Sequence, residues 1–432
     1  MIDAYLEFLN GLGVDGVLRI FWLFLIFEVP RYVVLDYVVV LIYALHQRLN
    51  RGAYQDARRA LRLEQPLVSV IVPGKNEGRN FRQLALTMRE QTYRNYELIV
   101  VDDGSDDDSA LIGRSLERRG DIDLFLRNEV RGGKASAANL GLRYAGGKFV
   151  LHLDADCSLD RDALEKMLVP FYFDTRIGAV GGSLCVRNTN ANLCTLLQSI
   201  EYYMMLSLGR LVASSLGILR IVSGAFGAYR RDILEQVGGW DIGPGLDGDI
   251  TVKIRKAGYR IYQEAHAVAL TDVPETTFKL ARQRLRWDRS LVRFRLRKHL
   301  NVFVAHENFS LSNFLSFVEN IFYSIILTIS WYFYLFDVLT NFAQFAGFIL
   351  LTNFILYTAS KYLQFGALLI VARRKASKLK LLPYLPLMVF YSGYFLRIIR
   401  SVAYFTEFFF KASYRDPWNP EKTSRVAMRY KL

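Results

Sequence analysis

The chain has 432 residues, of which 52% are hydrophobic and 14% aromatic, and its formal net charge is +14. This combination is unusual for a soluble enzyme and is typical of a membrane protein whose Lys and Arg residues lie on the cytoplasmic side. Nucleic-acid binding would also explain the charge, but no recognised nucleic-acid-binding motif accompanies it. The three cysteines have neither metal-ligand spacing nor a disulfide framework, which favours reduced thiols.

The first long apolar segment, residues 17–47, is long enough to cross a bilayer with some tilt. It is too long for the hydrophobic part of a signal peptide. Glu28 and Arg31 interrupt it three residues apart, so we expect them to pair on one helix face turned toward protein. The next segment, residues 48–65, is rich in arginine, which predicts a cytosolic linker and an N-terminal segment, residues 1–16, outside the membrane.

Residues 66–275 have the composition of a globular domain. Four short runs rich in β-branched residues predict buried strands, with a helix between the first two. The predicted strands are Val68–Pro73, Glu97–Val101, Phe149–Leu153 and Gly178–Gly182, and the predicted helix is Arg79–Arg89. Alternating strands and helices imply an α/β domain with a largely parallel, doubly wound sheet.

Two carboxylates, Asp154 and Asp156, directly follow the predicted strand Phe149–Leu153 in a D-x-D pattern. The carboxyl edge of an open α/β sheet is where such folds bind ligands. Carboxylate oxygens suit Mg²⁺ or Mn²⁺, with phosphate oxygens and water completing the coordination shell. Because D-x-D also occurs in turns and helix caps, the pattern alone is weak evidence for a metal site.

Further polar groups follow the neighbouring strands. Asp102 and Asp103 end the second strand, where either carboxylate could reach a nucleoside, and Glu77 follows the first strand. Lys134 comes directly after a glycine pair, which brings a cation and flexible backbone near a phosphate. Each pattern alone is explained equally well by a turn or loop. Together they predict a nucleotide site at one sheet edge.

Two motifs near the end of the globular part add reactive groups. Asp247 precedes a predicted helix, where it is either a helix cap or a base that removes a proton from an attacking hydroxyl. In the sequence Q-R-L-R-W, Arg284 and Arg286 can hold a diphosphate and Trp287 can stack on a sugar face. The alternative is that these residues bind no substrate and are only surface residues of a basic amphipathic helix, residues 276–305, that lies in the headgroup region.

Residues 306–412 are predicted to be transmembrane or interfacial helices. Two long apolar segments, Phe314–Phe336 and Phe342–Ala372, are separated by a predicted turn at Asp337–Asn341. A basic cluster that begins with Arg373 and Arg374 then returns the chain to the cytoplasm.

The last apolar stretch, Leu381–Phe410, has two interpretations. Pro383 breaks its start and Arg397 lies in its middle, so it is either one spanning helix or an interfacial helix followed by a short re-entrant piece. We favour the second, because the basic tail then stays inside. That tail, residues 413–432, contains Trp418 and Lys431.

Taken together, these motifs resemble family 2 glycosyltransferases of the processive, membrane-embedded kind, similar to cellulose, chitin, hyaluronan and poly-N-acetylglucosamine synthases. The resemblance covers nearly the whole chain and implies a cytosolic GT-A domain, Rossmann-like with a mostly parallel sheet, plus an α-helical transmembrane region. Leu246 replaces the Glu that the family usually has before its catalytic Asp. By resemblance, Asp247 is the catalytic base, Asp156 binds the metal, Glu77, Asp102, Asp103, Lys134, Asp154, Arg284 and Arg286 bind the donor, and Gln283 and Trp287 bind the acceptor.

The resemblance also implies an activity. It implies inverting, processive polymerisation of a UDP-sugar, either UDP-glucose or UDP-N-acetylglucosamine, into a β-linked polysaccharide that moves across the membrane. Mg²⁺ or Mn²⁺ would be the cofactor, and the growing polysaccharide, membrane lipid and an accessory subunit would be the partners. The expected location is the plasma membrane (the inner membrane of a bacterium), with several spans and a cytoplasmic catalytic domain. The tail 413–432 resembles the gating loop of these synthases, or is a disordered basic end.

Two other readings of the same motifs remain. A non-processive glycolipid synthase of the ceramide-glucosyltransferase kind shares a D-x-D and a related R-W motif, and product length distinguishes it from a polymerase. A catalytically silent, nucleotide-sensing membrane protein is the third reading. The intact set of carboxylates argues against it, and metal-dependent release of UDP would exclude it.

Overall fold

The computed structural model describes residues 2–243, 245–305, 309–372, 375–416 and 419–430. Outside these ranges lie four residues of the predicted basic cluster and tail, Arg373, Arg374, Trp418 and Lys431. The chain divides into two compact units, which we call the helical unit and the sheet unit. The helical unit is Met1–His46 with Val318–Ser401, and the sheet unit is Gln47–Phe317 with Val402–Leu432.

The sheet unit is built on an eight-stranded sheet with the order β3-β2-β1-β4-β7-β6-β8-β5. Its strands are β1 Val68–Gly74, β2 Tyr96–Asp102, β3 Leu124–Arg127, β4 Phe149–Leu153, β5 Ser158–Leu159, β6 Ile177–Val186, β7 Phe226–Arg230 and β8 Arg260–Thr271. The strands β3, β2, β1 and β4 pair in parallel, as do β6 and β8, whereas β7 is antiparallel to both β4 and β6. The predicted α/β class with a mostly parallel sheet is confirmed, and the sheet is mixed.

Helices cover both faces of this sheet, because side chains of successive strand residues point to opposite sides. Val70 packs with Phe81 in one core layer. Ile71, the next residue in β1, packs with Ala138 and Trp240 in the other. The α-helices between β1 and the end of β8 are Gly78–Arg89, Ser109–Arg118, Lys134–Tyr144, Ala163–Phe173, Leu193–Glu201, Arg210–Ser215, Arg231–Gln236 and Leu246–Lys256, and Tyr202–Gly209 is π-helical.

Helices also precede β1 and follow β8. Those before β1 are Ile2–Gly11, Gly13–Trp22, the π-helical Leu23–Val34, Leu35–Leu49 and Arg51–Glu64. The α-helices after β8 are Thr277–Arg293, Leu311–Ile321, Leu327–Asn341, Ala346–Val371, Lys375–Leu379, Leu385–Phe390, Leu396–Phe410 and Glu421–Arg429. The segments Phe294–Lys298, Phe322–Ile326 and Tyr391–Phe395 are π-helical, and Leu300–Phe303, Ala343–Phe345, Leu382–Tyr384 and Ala412–Arg415 are 3₁₀-helical.

The arginine-rich linker, residues 48–65, is mostly one helix, and it docks on the sheet unit through a buried carboxylate. Glu165 accepts hydrogen bonds from Arg58 Nε at 2.8 Å and from Arg62 Nε at 2.7 Å. The bond from Arg58 outweighs the effect of burial and, with Arg62, lowers the pKa of Glu165 to about 2. Two arginines of the linker therefore hold the carboxylate in its ionised form.

We expect Glu165→Gln to lower the free energy of unfolding by about 1–3 kcal/mol, because it removes charge-assisted hydrogen bonds from a buried group. The measurement is thermal unfolding of the full chain in detergent. The matched control is Asp56→Asn, which breaks the exposed pair between Asp56 and Arg59 and should cost almost nothing. Equal losses in the two variants would contradict a special role for the buried carboxylate.

Three helical segments among the described residues are long and apolar enough to cross a membrane, by length and composition only. They are Leu311–Asn341, Ala343–Val371 and Lys375–Phe410. The N-terminal segment 17–47 is helical but is not among the three, and its role as a span stays a prediction. The predicted turn at Asp337–Asn341 is wrong, because the helix continues through Asn341 and the break lies at Ala343–Phe345.

The last apolar stretch forms a continuous helical run after its prolines. Pro383 lies in the 3₁₀ turn Leu382–Tyr384, and the helix then continues from Leu385 to Phe410 through a π-helical section. An interfacial helix followed by a re-entrant piece would need a break within this run. The structure therefore favours the other interpretation, a single helix of spanning length.

Charged side chains in the helical unit pair across helices. Arg31 Nη1 lies 3.0 Å from Asp36 Oδ1, and Arg31 Nη2 lies 3.3 Å from Glu319 Oε1. Glu28 is held by Lys361 Nζ at 3.0 Å. The predicted pair of Glu28 with Arg31 is therefore wrong, although the expectation that both face protein is confirmed. Pairing with other partners offsets the cost of burying these charges.

Candidate active site

The carboxyl ends of β1, β2 and β4 bring the predicted carboxylates to one edge of the sheet. Gly74 at the end of β1 lies opposite Asp102 at the end of β2, and β4 runs parallel to β1 on its other side. Burial, followed by the charges of Asp156 and Asp154, raises the pKa of Glu77. Three carboxylates from two loops therefore share one electrostatic environment, as the parallel topology predicts.

The D-x-D motif projects two carboxylates with different partners. Asp154 Oδ1 lies 2.5 Å from Lys134 Nζ, which is an ion pair between the two loops. Asp156 Oδ2 accepts a hydrogen bond from Thr271 Oγ1 at 3.2 Å, at the end of β8. Burial and the neighbouring Asp154 raise the pKa of Asp156. A cation placed here would offset the unfavourable burial of negative charge.

Few side chains at this edge could serve as metal ligands. Within the described ranges, no group of three or more His, Cys, Asp or Glu side chains could hold a metal ion. The D-x-D carboxylates still fit Mg²⁺ or Mn²⁺, because these ions commonly take one or two protein carboxylates together with phosphate oxygens and water. The surplus of buried negative charge at Asp156 is consistent with that fit.

Asp103 and Asp102 lie at the predicted edge, but their carboxylates bind protein groups. Asp103 accepts hydrogen bonds from the backbone N–H groups of Gly132 and Gly133, both at 2.8 Å. Asp102 is fully buried, accepts from Ser105 and has Arg127 Nε 3.4 Å away. Asp103 therefore fixes the glycine pair that precedes Lys134. Contact of either carboxylate with a nucleoside stays a prediction.

Lys134 begins the helix Lys134–Tyr144 directly after Gly133, whose φ of 89° lies in the left-handed region that favours glycine. Burial opposes the charge of Lys134, but the carboxylates of Asp154 and Asp247 outweigh it and raise the pKa of the lysine. A stable positive charge at a helix N-terminus, where backbone N–H groups are unpaired, is a favourable place for a phosphate.

Asp247 lies in the first turn of the helix Leu246–Lys256, facing the same cluster. Its Oδ1 atom is buried and has no hydrogen-bond partner among the described residues. Burial raises the pKa of Asp247, while Lys134 opposes that rise. The backbone of Gly224 approaches so closely that a Cβ atom there would collide with this Oδ1. The result is a carboxylate that is poised to accept a proton.

The support beneath this site was not predicted from the sequence. His152 Nδ1 hydrogen-bonds the carbonyl oxygen of Gly224, and burial lowers the pKa of His152 to about 3, so its ring is neutral. The ring centroid of His152 lies 5.2 Å from that of Trp240. Asn139 fixes Trp240 by two hydrogen bonds to its backbone, at 2.6 and 3.0 Å. These contacts fix the carbonyl of Gly224 and the backbone of Trp240, which lies seven residues before Asp247.

Asp249, the nearest alternative to Asp247 as a base, is bound by a lysine ammonium and a histidine ring. Its Oδ2 lies 2.8 Å from Lys298 Nζ and its Oδ1 lies 2.6 Å from His299 Nε2. Although burial opposes ionisation, His299 and Lys298 lower the pKa of Asp249. A carboxylate held in this way stabilises the fold and is a poor proton acceptor.

The Q-R-L-R-W motif lies on the helix Thr277–Arg293, and its two arginines have different partners. Arg284 is buried, donates to Glu201 Oε2 at 2.8 Å and lies 4.3 Å from the ring centroid of Trp287. Burial lowers the pKa of Arg286, while Asp416 and Asp154 favour its charged form. Arg286 is therefore the arginine of the motif that lies near the D-x-D edge, whereas Arg284 braces Trp287.

The predicted basic face of segment 276–305 differs from the observed one. Arg284, Arg293 and Arg295 are buried within the sheet unit. Arg295 Nη1 donates to the carbonyl oxygen of Ser316 at 3.2 Å. These arginines therefore bind protein, and the placement of this helix at the lipid headgroups stays a prediction.

The C-terminal tail reaches the glycine loop of the site. A Cβ atom on Gly133 would lie 3.3 Å from Pro420 Cδ and 3.8 Å from Asn419 Oδ1. Nearby, the guanidinium of Arg293 lies 5.5 Å from the ring centroid of Tyr414. The tail thus packs beside the residues predicted to bind phosphate.

Residues 69–238 match the family described as Glycosyl transferase family 2. The sequence match and the sheet order show that the chain contains a family 2 glycosyltransferase domain with the GT-A fold. The same fold occurs in a mannosyltransferase from Pyrobaculum calidifontis whose structure is a complex with GDP-Man and Mn²⁺. The two align with a TM-score of 0.54 and 22% identity, over 87% of this chain and 99% of that one.

Two curated relatives confirm the resemblance predicted from the motifs over about half of the chain. The chain is 32% identical to a poly-beta-1,6-N-acetyl-D-glucosamine synthase of Staphylococcus aureus strain COL over 214 residues, which is 49% of this chain and 51% of the relative. It is also 32% identical to the synthase of the same name from Staphylococcus epidermidis strain RP62A over 222 residues, 51% and 53% of the two chains. The chain thus spans about half the length of the relatives it matches.

Proposed function

We propose that this protein is a membrane-embedded, inverting and processive glycosyltransferase that polymerises a UDP-sugar into a β-linked polysaccharide. The observation that carries the proposal is the cluster of Asp247, Lys134 and Asp154, which places a proton acceptor beside a phosphate-binding edge. The names of the staphylococcal relatives make UDP-N-acetylglucosamine the first donor to test and UDP-glucose the second.

In the proposed reaction, Asp247 removes the proton from the terminal hydroxyl of the acceptor chain. The hydroxyl oxygen forms a bond to the anomeric carbon of the donor sugar as the bond from that carbon to the diphosphate oxygen breaks. The proton goes to the Asp247 carboxylate, and the electron pair of the broken bond leaves with UDP. A single displacement inverts the configuration through an oxocarbenium-like transition state. The raised pKa of Asp247 makes its ionised form a stronger base than an ordinary aspartate.

The leaving diphosphate gains negative charge, and the cationic groups at this edge oppose it. Lys134 lies at a helix N-terminus, and Arg286 lies near Asp154. Fixed cations aimed at developing charge are an effective form of catalysis. Asp156, supported by Asp154, would hold Mg²⁺ or Mn²⁺, which would supply further charge stabilisation for the diphosphate when bound.

The tail, the membrane placement and the partners belong to the same proposal. Asn419 and Pro420 lie beside Gly133, which supports a gating role for segment 413–432 at the donor site. The apolar spans support a location in the plasma membrane (the inner membrane of a bacterium), with the sheet unit in the cytoplasm. An accessory subunit and contact with membrane lipid complete the proposed assembly.

The test uses the full chain in lipid nanodiscs, incubated with each UDP-sugar in the presence of Mg²⁺, Mn²⁺ or EDTA. We expect metal-dependent release of UDP and a ladder of β-linked products that a matching glycosidase degrades. A single sugar on a lipid would instead establish the glycolipid-synthase alternative. Absence of UDP release with every donor would overturn the proposal.

We expect Trp287→Ala to raise the acceptor KM about tenfold, which corresponds to roughly 1.4 kcal/mol of lost aromatic contact. The side chain is 38% exposed and braced by Arg284, so it offers a fixed ring face to a sugar. Initial rates against acceptor concentration give the KM. Trp287→Phe is the matched control and should retain most of the affinity, whereas equal effects of the two variants would contradict sugar stacking.

A further inference from the structure

Arg210 is a partly buried cation whose charge acts on Asp247, and it has no role in the mechanism above. It begins the short helix Arg210–Ser215, directly after the π-helical segment Tyr202–Gly209. Its Nη1 atom is buried without a hydrogen-bond partner in the part of the chain that the structure describes. A buried N–H group of a guanidinium is usually paired, because leaving it unpaired is costly. Its environment therefore points to a missing partner.

The proposed base is one of two groups whose charge acts on Arg210. Asp247 and Tyr202 both interact electrostatically with the guanidinium, in a setting where burial lowers the pKa of Arg210. Asp247 Oδ1 is likewise buried and lacks a hydrogen-bond partner among the described residues, so it does not bond to Arg210 Nη1. One donor atom of Arg210 and one acceptor atom of Asp247 are thus both buried and unpaired, and the two groups carry opposite charges that interact.

A third unused group lies on the neighbouring helix. Gln283 Oε1 is also buried without a partner in the described ranges. Arg284, the residue after Gln283, donates to Glu201 at 2.8 Å, so the helix of Gln283 contacts the helical segment that leads to Arg210. The unused atoms are therefore one cationic donor, one anionic acceptor and one neutral acceptor.

The charges and hydrogen-bonding roles of these three atoms favour a sugar hydroxyl over a phosphate as the ligand. A sugar hydroxyl both donates and accepts, so a hydroxyl placed among them could donate to Asp247 and accept from Arg210. A phosphate would suit Arg210 but would be repelled by the carboxylate of Asp247. A general base must also lie within hydrogen-bond reach of the hydroxyl whose proton it takes.

We propose that Arg210 binds the terminal sugar of the acceptor chain and orients its attacking hydroxyl toward Asp247. This inference rests on the proposed function and deepens it, because it assigns an acceptor residue outside the Q-R-L-R-W motif. Arg210 acts as an acceptor-specificity residue, whereas Lys134 and Arg286 act on the donor. Losing a charge-assisted hydrogen bond to the acceptor predicts a rise in acceptor KM of about tenfold or more.

The test compares wild type, Arg210→Gln and Arg210→Lys in lipid nanodiscs with UDP-N-acetylglucosamine and a β-1,6-linked N-acetylglucosamine pentasaccharide. We expect Arg210→Gln to raise the pentasaccharide KM about tenfold or more with little change in the donor KM. Arg210→Lys should recover part of the loss, because it keeps the charge and hydrogen-bond donors but lacks the planar fork of the guanidinium. The control is Arg118→Gln on the exposed end of the helix Ser109–Arg118, which should match wild type.

The outcomes separate this inference from the proposed function. A wild-type enzyme that transfers sugar while both Arg210 variants keep the wild-type pentasaccharide KM would overturn the role of Arg210 alone. Equal rises in the donor and acceptor KM would also overturn it, because they would indicate a general structural defect. If wild type transferred sugar from none of the UDP-sugars, the proposed function would fail and the Arg210 assignment with it. Thermal unfolding of each variant identifies misfolding, and Arg210→Lys preserves the test if Arg210→Gln does not fold.

Discussion

Asp247→Asn is expected to lower the rate of sugar transfer by about 10²–10⁴-fold, the usual contribution of a general base. Asparagine has nearly the same shape as aspartate but cannot take the proton of the acceptor hydroxyl. The donor-side groups Lys134 and Asp154 are unchanged, so binding of the UDP-sugar should persist. Transfer is measured as acceptor-dependent release of UDP, and donor binding is measured separately by calorimetry.

The matched variant is Asp249→Asn, two residues along the same helix. Asp249 is already bound by Lys298 and His299, so its substitution should lower the melting temperature of the protein. The rate of sugar transfer should change much less than in Asp247→Asn. A variant Asp247→Asn with near wild-type transfer, together with a folded but inactive Asp249→Asn, would move the base to Asp249. Leu246, where the family usually has Glu, would then mark a real difference in mechanism.

The sequence predicted the edge of the sheet well, because that edge depends on local patterns. Buried strands such as β1 and β4 are continuous apolar runs, and the polar residues that end them mark the carboxyl edge. Parallel pairing then brings Asp102 and Asp154 to the same side without further information. The family match over residues 69–238 and the sheet order agree with that reading.

The roles of individual side chains were harder to predict, because partners come from distant segments. Arg284 and Arg286 are equivalent in the sequence, yet Arg284 binds Glu201 whereas Arg286 lies near Asp154. Glu28 has a suitable partner three residues away, but Lys361 holds it instead. Several charged residues lie near enough to pair with each of these side chains. Helical spacing alone does not show which of them forms the ion pair.

Close backbone approaches were also invisible in the sequence. No role was predicted for Gly224 from the sequence. The structure places its backbone against Asp247, and its carbonyl oxygen hydrogen-bonds His152. A glycine has no side chain that would indicate a role in the sequence. Its role here depends on which side chain packs against its backbone.

Gly224→Ala is therefore expected to lower the transfer rate by about 10²-fold, the cost of a misplacement of roughly 1 Å in an active site. The added Cβ atom would collide with Asp247 Oδ1, so the carboxylate must move away from the acceptor hydroxyl. Lys134 and Asp156 keep their positions, and the donor KM should change little. Steady-state kinetics with varied donor and varied acceptor separate the two effects.

The control for Gly224→Ala is Gly52→Ala in the linker helix Arg51–Glu64. A Cβ atom on Gly52 would meet nothing within 4 Å, so this variant should keep the wild-type rate and gain slightly in stability. If Gly224→Ala retained the wild-type rate while its melting temperature stayed the same, the backbone could not be what fixes Asp247. A double variant, Gly224→Ala with Asp247→Asn, completes the argument. If the two changes act through the same carboxylate, its rate should equal that of Asp247→Asn alone, because a displaced asparagine has no proton-accepting function left to lose.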